Sequence, residues 1–151
     1  MVMRLRQALR LAAPALVAGA VLTAAAPIAL AGDEEALFGP RYHSVSVTKD
    51  GEPKSLVADT KLRVEFFRNV ERDELAWHAG CNRFGYRIIV SQSEIDTRYG
   101  ASTEIGCPRD LANQDDFFAR FFKQDPAWSA EGRYLTLSTE RVTVELRRRS
   151  K

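Results

Sequence analysis

Five side chains in this sequence are of types that do chemistry: the cysteines Cys81 and Cys107, the histidines His43 and His78, and Asn82 beside the first cysteine. Two thiolates and two imidazoles make a possible zinc set. Structural zinc sites, however, draw their ligands from short paired spacings such as C-x-x-C or H-x-x-x-H, and neither pairing occurs here. Cys81 with His78 and Asn82 has the residue types of a thiol protease, in which a base takes the thiol proton and an amide orients the base. Those three residues sit on one short turn. Such sets normally come from separate elements, which align nucleophile, base and orienting group. The third chemistry is oxidation of the two thiols to a bridge, and it depends on where the chain folds.

The N-terminal stretch speaks to that compartment. Residues 1–10 carry Arg4, Arg6 and Arg10 without an acid, an Ala/Leu/Val-rich run follows, and Ala29-Leu30-Ala31 has the small-x-small pattern that signal peptidase reads. We expect a signal peptide over residues 1–31, a leader segment over 32–40 and one domain over 41–151. The apolar run is long enough to cross a bilayer if uncleaved; its alanine content, Pro27 and the small-x-small pattern favour cleavage. No cysteine stands at the cut to carry a lipid, so the expected product is secreted or periplasmic, without an integral membrane span. Cleavage takes Lys+Arg from 22 to 19 against 20 Asp+Glu, which turns the formal +2 into −1. That balance does not suit a nucleic-acid partner, and Arg147-Arg148-Arg149-Ser150-Lys151 reads as a solvated strand end. In an oxidising compartment, two cysteines point to one internal bridge, Cys81 to Cys107. Closing a loop of that length stabilises by roughly 3–4 kcal/mol in the chain-entropy model.

The elements that position these residues read mostly as strands. Alternation places Val45 and Val47 on one face of a first strand, and Leu62, Val64 and Phe66 opposite Arg63 and Glu65 on another. Asp50-Gly51 and Pro53 mark the turn between them. Glu74 to His78 and Tyr86 to Val90 are extended pieces flanking the Gly80-Cys81-Asn82 turn. The clearest hairpin closes the chain, with Leu135, Leu137, Val142, Val144 and Leu146 facing inward. One segment changes period: Leu111, Phe118 and Phe122 follow helical spacing, with Phe117 and Phe121 beside them and Asp115, Asp116, Arg120 and Lys123 assigned to the solvent side. Pro108 or Asp110 starts this helix and Pro126 ends it. Trp77 and Trp128 are each large enough to bury much of their surface, and at least Trp128 is expected to close one end of the core beneath the last hairpin. The expected fold class is α+β: a strongly curved antiparallel sheet, a meander resembling a partial barrel, packed against one main α-helix.

The order of these motifs resembles the META domain family, also called HslJ-like. Gly80-Cys81-Asn82-Arg83-Phe84 matches its G-C-N-x-[FY] turn, Thr103 to Cys107 its T-x-x-x-C segment, Asp115 to Phe118 its acid-x-x-Phe helix, and Leu135-Thr136-Leu137 its last hairpin. The likeness covers residues 42–146. Two departures stand out: Gly106 replaces the family's methionine before the second cysteine, and the G-x-Y stretch after the turn is shortened to Phe84-Gly85-Tyr86. The resemblance implies an exported or envelope domain, linked in relatives to heat shock, antibiotic tolerance or virulence. It brings no catalytic residue, metal or cofactor.

Two functional classes follow. One is a non-enzymatic envelope protein, related to stress or tolerance, that binds an unidentified protein or lipid-like ligand on an exposed sheet face or in a cleft against the helix. The alternative is a secreted inhibitor or effector that docks a macromolecule through loops, such as residues 68–74 and the segment around Arg98 and Tyr99. A continuous apolar cavity would favour the first and a filled core with exposed loops the second. No nucleophile elbow, phosphate-binding glycine loop or paired carboxylates suggest an enzyme.

Overall fold

A computed structural model of the protein describes residues 33–150; the expected signal peptide lies outside them. After a 3-10 turn at Glu34–Leu37 come β1 (Arg41–Lys49), β2 (Glu52–Pro53), β3 (Arg63–Arg68), β4 (Asp73–His78), β5 (Arg83–Val90) and β6 (Ile95–Ser102). The helix α1 (Arg109–Phe122) follows, then β7 (Ala127–Glu131), β8 (Tyr134–Ser138) and β9 (Val142–Arg148). The strands form one antiparallel sheet in the order β6-β5-β4-β3-β1-β9-β8-β7, with β2 hairpinned onto β1. Asp50 and Gly51 both have positive φ in that hairpin's turn, the backbone a tight two-residue connection needs.

The sheet curls until its two edges meet at one end. Glu94 and Ala127 form an antiparallel bridge, Ile95 N–H donates to Pro126 O, and Trp128 N–H donates to Ser93 O. This is the expected α+β architecture, a half-barrel of nine strands with one helix. Its interior follows the alternation: Val64, Phe66, Leu75, Trp77, Leu135, Leu137, Val144 and Leu146 all point inward and are buried. Phe118, Phe121 and Phe122 of α1 fill the concave side. Trp77 is the hub, stacked on Phe84 at 3.8 Å between ring centroids and within 5.3 Å of Phe122. Trp128 is buried as expected and its indole N–H donates to Ser91 O at 2.8 Å. It sits in β7 opposite Leu137, on the strand beside the last hairpin.

Four local readings of the sequence need revision. A bulge between Ser44 and Ser46 resets the alternation of β1, so Tyr42, Ser44 and Val47 point inward while Val45 is turned out, 47 % exposed. Arg98 and Tyr99 lie in β6, an edge strand, and not in a loop. Asp115, assigned to the solvent side of the helix, is only 2 % exposed. Within the expected leader, residues 33–40 join the packed structure: Leu37 is fully buried, and Phe38 packs edge-on against Phe66.

Gly100 in β6 faces Tyr86 across the β5–β6 pair, and the tyrosine ring lies over it. A Cβ there would come within 1.7 Å of the ring. Gly100→Ala should therefore destabilise the fold by about 1–3 kcal/mol, the usual cost of overpacking. A urea midpoint within error of the parent would show that the ring moves freely.

Candidate functional site

Two sets of sequence-singled residues come together, at different places. The first is the Gly80-Cys81-Asn82 turn between β4 and β5. Gly80 has φ +141°, and a Cβ there would lie 2.9 Å from Leu111 of α1, so glycine is needed for both backbone and space. Cys81 and Cys107 are joined as a disulfide, with Cα atoms 6.1 Å apart. Asn82 ties the surroundings together. Its N–H donates to Asp115 Oδ2 at 2.7 Å, and its side-chain oxygen accepts from Thr103 Oγ1 at 3.0 Å and Ile105 N–H at 2.9 Å. Gln114 extends the knot, accepting from Val57 N–H at 2.7 Å and donating to Thr60 Oγ1 at 2.9 Å and to Ala79 O. The turn fastens helix to sheet, and Phe84 just beyond it carries the aromatic stack on Trp77.

Neither competing chemistry is assembled there. Cys81, Cys107 and Asp115 form the one cluster of possible metal ligands among the described residues, and neither histidine belongs to it. Both sulfurs are spent in the bridge and offer no thiolate to a metal or a substrate. His78 Nδ1 accepts the Gly80 N–H at 3.0 Å and is not aimed at a nucleophile.

The histidines belong to the second place, the outer face of the sheet. Pairing sets Arg147 of β9 opposite His43 of β1, His43 opposite Arg63 of β3, Arg63 opposite His78 of β4, and His78 opposite Arg83 of β5. Three arginines and both histidines of the chain therefore stand in one row across five strands, with no acid among them. Tyr134 of β8, opposite Arg147, heads the row. At the usual strand spacing the row from Arg147 to Arg83 runs roughly 19 Å. Beside it, Arg41 pairs with Glu65 at 3.0 Å, and Ala76 and Gly85 continue that neighbouring row with small side chains. The result is a groove of about 320 Å³, lined by Arg41, His43, Arg63, Glu65, His78, Arg83 and Arg149 among others.

Like charges set directly opposite each other on a sheet are destabilising, and the imidazole of His43 registers the effect. Burial first, and then Arg63, Arg149 and Lys61, hold it below the ordinary histidine range. The unfolded chain takes up this proton near about pH 6.5, the folded chain only at lower pH. Above the unfolded value His43 therefore has no influence on stability. As pH falls from there through the folded value, it withdraws stability, because the unfolded state binds the proton first. An NMR titration should find the His43 midpoint below that of an unstructured histidine; a midpoint at or above it would contradict the positive surroundings.

This row was not legible beforehand, because its members lie far apart in the chain and only strand order makes them neighbours. The signal for Asp115 was present: it stands four residues after Leu111, on the core stripe by position, although its charge argued for the other side.

Comparison with known proteins places these features in context. A family model described as META domain matches residues 35–151. No curated protein sequence matches the chain. Among solved structures, it is similar to an NMR structure of a protein from Burkholderia xenovorans, with a TM-score of 0.65 at 9 % identity over 78 % of this chain and 86 % of that one. A second NMR structure has a TM-score of 0.56 at 22 % identity, covering 75 % and 92 % of the two chains. At these identities the likeness is one of fold.

Proposed function

The chain belongs to the META domain family, and from that premise we propose that it is a non-enzymatic protein of the cell envelope or the medium, related to stress or tolerance, that acts by binding a protein or lipid-like ligand on the outer face of its sheet. The observation that carries this reading is the contrast between the two faces. The concave side is occupied by Trp77, Phe84, Phe118 and Phe122 in ring-to-ring contact, whereas the outer side offers a groove with an unbalanced row of positive groups. Interior burial of this kind supports folding, and exposed unbalanced charge supports recognition. The disulfide accords with an exported chain, and among the described residues no helix is long and apolar enough to cross a membrane.

One observation favours the alternative of a secreted inhibitor or effector: Val70, at the tip of the β3–β4 hairpin, is fully exposed. An exposed apolar tip on a hairpin can serve as a docking point, but here it is a single side chain.

Fractionation of the native host, followed by native mass spectrometry of the recovered protein, tests the reading. The expected result is a product in the periplasm or medium, beginning at Gly32 and carrying a bound ligand or partner. Cytosolic protein retaining Met1, or turnover of a substrate by the pure protein, would overturn it.

A further inference from the structure

The row of bases on the outer face has a geometry that suits one kind of partner. Charge on this protein is segregated: 22 Lys+Arg and 20 Asp+Glu nearly cancel over the chain, yet the row Arg147-His43-Arg63-His78-Arg83 contains no acid. Two acids flank it on the same strands, Glu65 two residues from Arg63 and Glu145 two residues from Arg147. Glu65 holds Arg41, and Glu145 accepts from Ser46 Oγ at 3.2 Å. Lys61 and Arg149 border the row and extend the positive field. Like-charge repulsion opposes such an array in a free protein, and an anionic partner relieves it.

Two further side chains decide what kind of anion. Val45 is thrown out of β1 by the bulge, beside His43, and is 47 % exposed; Tyr134, opposite Arg147, is 45 % exposed. A tyrosine and a small apolar side chain set among arginines match the boundary between lipid headgroups and acyl chains, where amphipathic rings and basic groups concentrate. A small soluble oxyanion would use one or two arginines and would gain nothing from Val45, Tyr134 or a row roughly 19 Å long.

We infer that the outer face of β8, β9, β1, β3, β4 and β5 docks on an anionic phospholipid surface, with Arg63, Arg147 and Arg83 on headgroup phosphates and Val45 and Tyr134 at the interface. This rests on the reading of the protein as one that binds lipid-like ligands, and names the lipid class. Two consequences follow from the geometry. Docking is electrostatic, so it weakens as salt shortens the screening length from about 8 Å at physiological ionic strength to about 3 Å at 1 M. It also strengthens on mild acidification. His43 stands opposite Arg63 and Arg147, with Arg149 and Lys61 near it; an anionic surface favours the charged form of its imidazole, against these neighbours.

The experiment is co-sedimentation of the protein, as recovered after export, with vesicles of phosphatidylcholine alone or mixed with phosphatidylglycerol. Binding to the mixed vesicles and not to the neutral ones is expected. Arg63→Gln and Arg147→Gln should each weaken it about fivefold, the weight of one basic residue near an anionic surface. The double variant should weaken it roughly 25-fold if the two act independently, with thermal unfolding measured to show that the fold is kept. Val45→Ser with Tyr134→Ser should reduce vesicle binding while leaving any binding of inorganic phosphate unchanged. Arg120→Gln, on the exposed side of α1, should have no effect. Equal binding to neutral and anionic vesicles would overturn the anionic face and leave the lipid-binding reading standing. Binding of inorganic phosphate without vesicle binding would overturn the membrane partner. No binding to either, by a protein that native mass spectrometry finds carrying another ligand, would overturn this inference alone.

Discussion

Replacing Trp77 with alanine should lower the stability of the protein by about 3–5 kcal/mol, the range for truncating a large aromatic side chain in a core. The expectation comes from its position. Trp77 is inward on β4, stacked on Phe84, and in contact range of Tyr86, Phe118 and Phe122, with ring centroids between 3.8 and 6.4 Å away. It is the side chain at which the β4–β5 hairpin meets the helix. Its removal leaves a cavity bounded by four aromatic rings on two elements, and the helix cannot close it without breaking the Asn82–Asp115 and Gln114 contacts. Against a total of about 5–15 kcal/mol for a typical domain, this is a large share. Urea unfolding should show a midpoint lower by at least about 1 M, with an unchanged slope. A loss under about 1 kcal/mol would mean that the site collapses freely and that Trp77 is not the hub.

The second large effect concerns the disulfide. Changing Cys81 and Cys107 together to serine should cost about 2–5 kcal/mol, as loss of a native bridge does in small secreted domains. The bridge closes a loop of 26 residues in sequence separation, which holds all of β5 and β6. Without it the unfolded chain gains the entropy of that loop, while the folded chain keeps Asn82 as a second tie between turn and helix. The variant should therefore fold to the same structure with a lower melting temperature, and the proposed lipid binding by the outer face should persist below that temperature. Free-thiol titration of unfolded, unreduced protein should find almost no reactive sulfhydryl. Two titratable thiols, or stoichiometric zinc, would show that the bridge is not the natural state of these cysteines. Trp77 and Cys81 are close in the chain and act on the same helix–sheet junction, so their effects should not add.

The loss expected for Gly100→Ala, about 1–3 kcal/mol, is the smallest of the three.

Most of the secondary structure was legible in the residues themselves. The period of two in β3, β8 and β9 assigned Val64, Phe66, Leu135, Leu137, Val144 and Leu146 to the core, and each is buried. The change to helical spacing and the flanking prolines placed α1. These signals are local, because burial on one face imposes a fixed period on each element. Three things were not local. The bulge that expels Val45 depends on how β1 fits between β3 and β9, and shifts a pattern that looked regular. The burial of Asp115 depends on a partner 33 residues away, the Asn82 N–H, whose hydrogen bond offsets part of the cost of burying a carboxylate. The basic row depends on strand order alone: Arg147 and His43 become neighbours because β9 pairs with β1, and a chain read residue by residue shows only scattered arginines. The sequence determined which side chains each element turns inward; tertiary structure decided which outward ones stand together, because cross-strand register is set by long-range pairing and leaves no period in the chain.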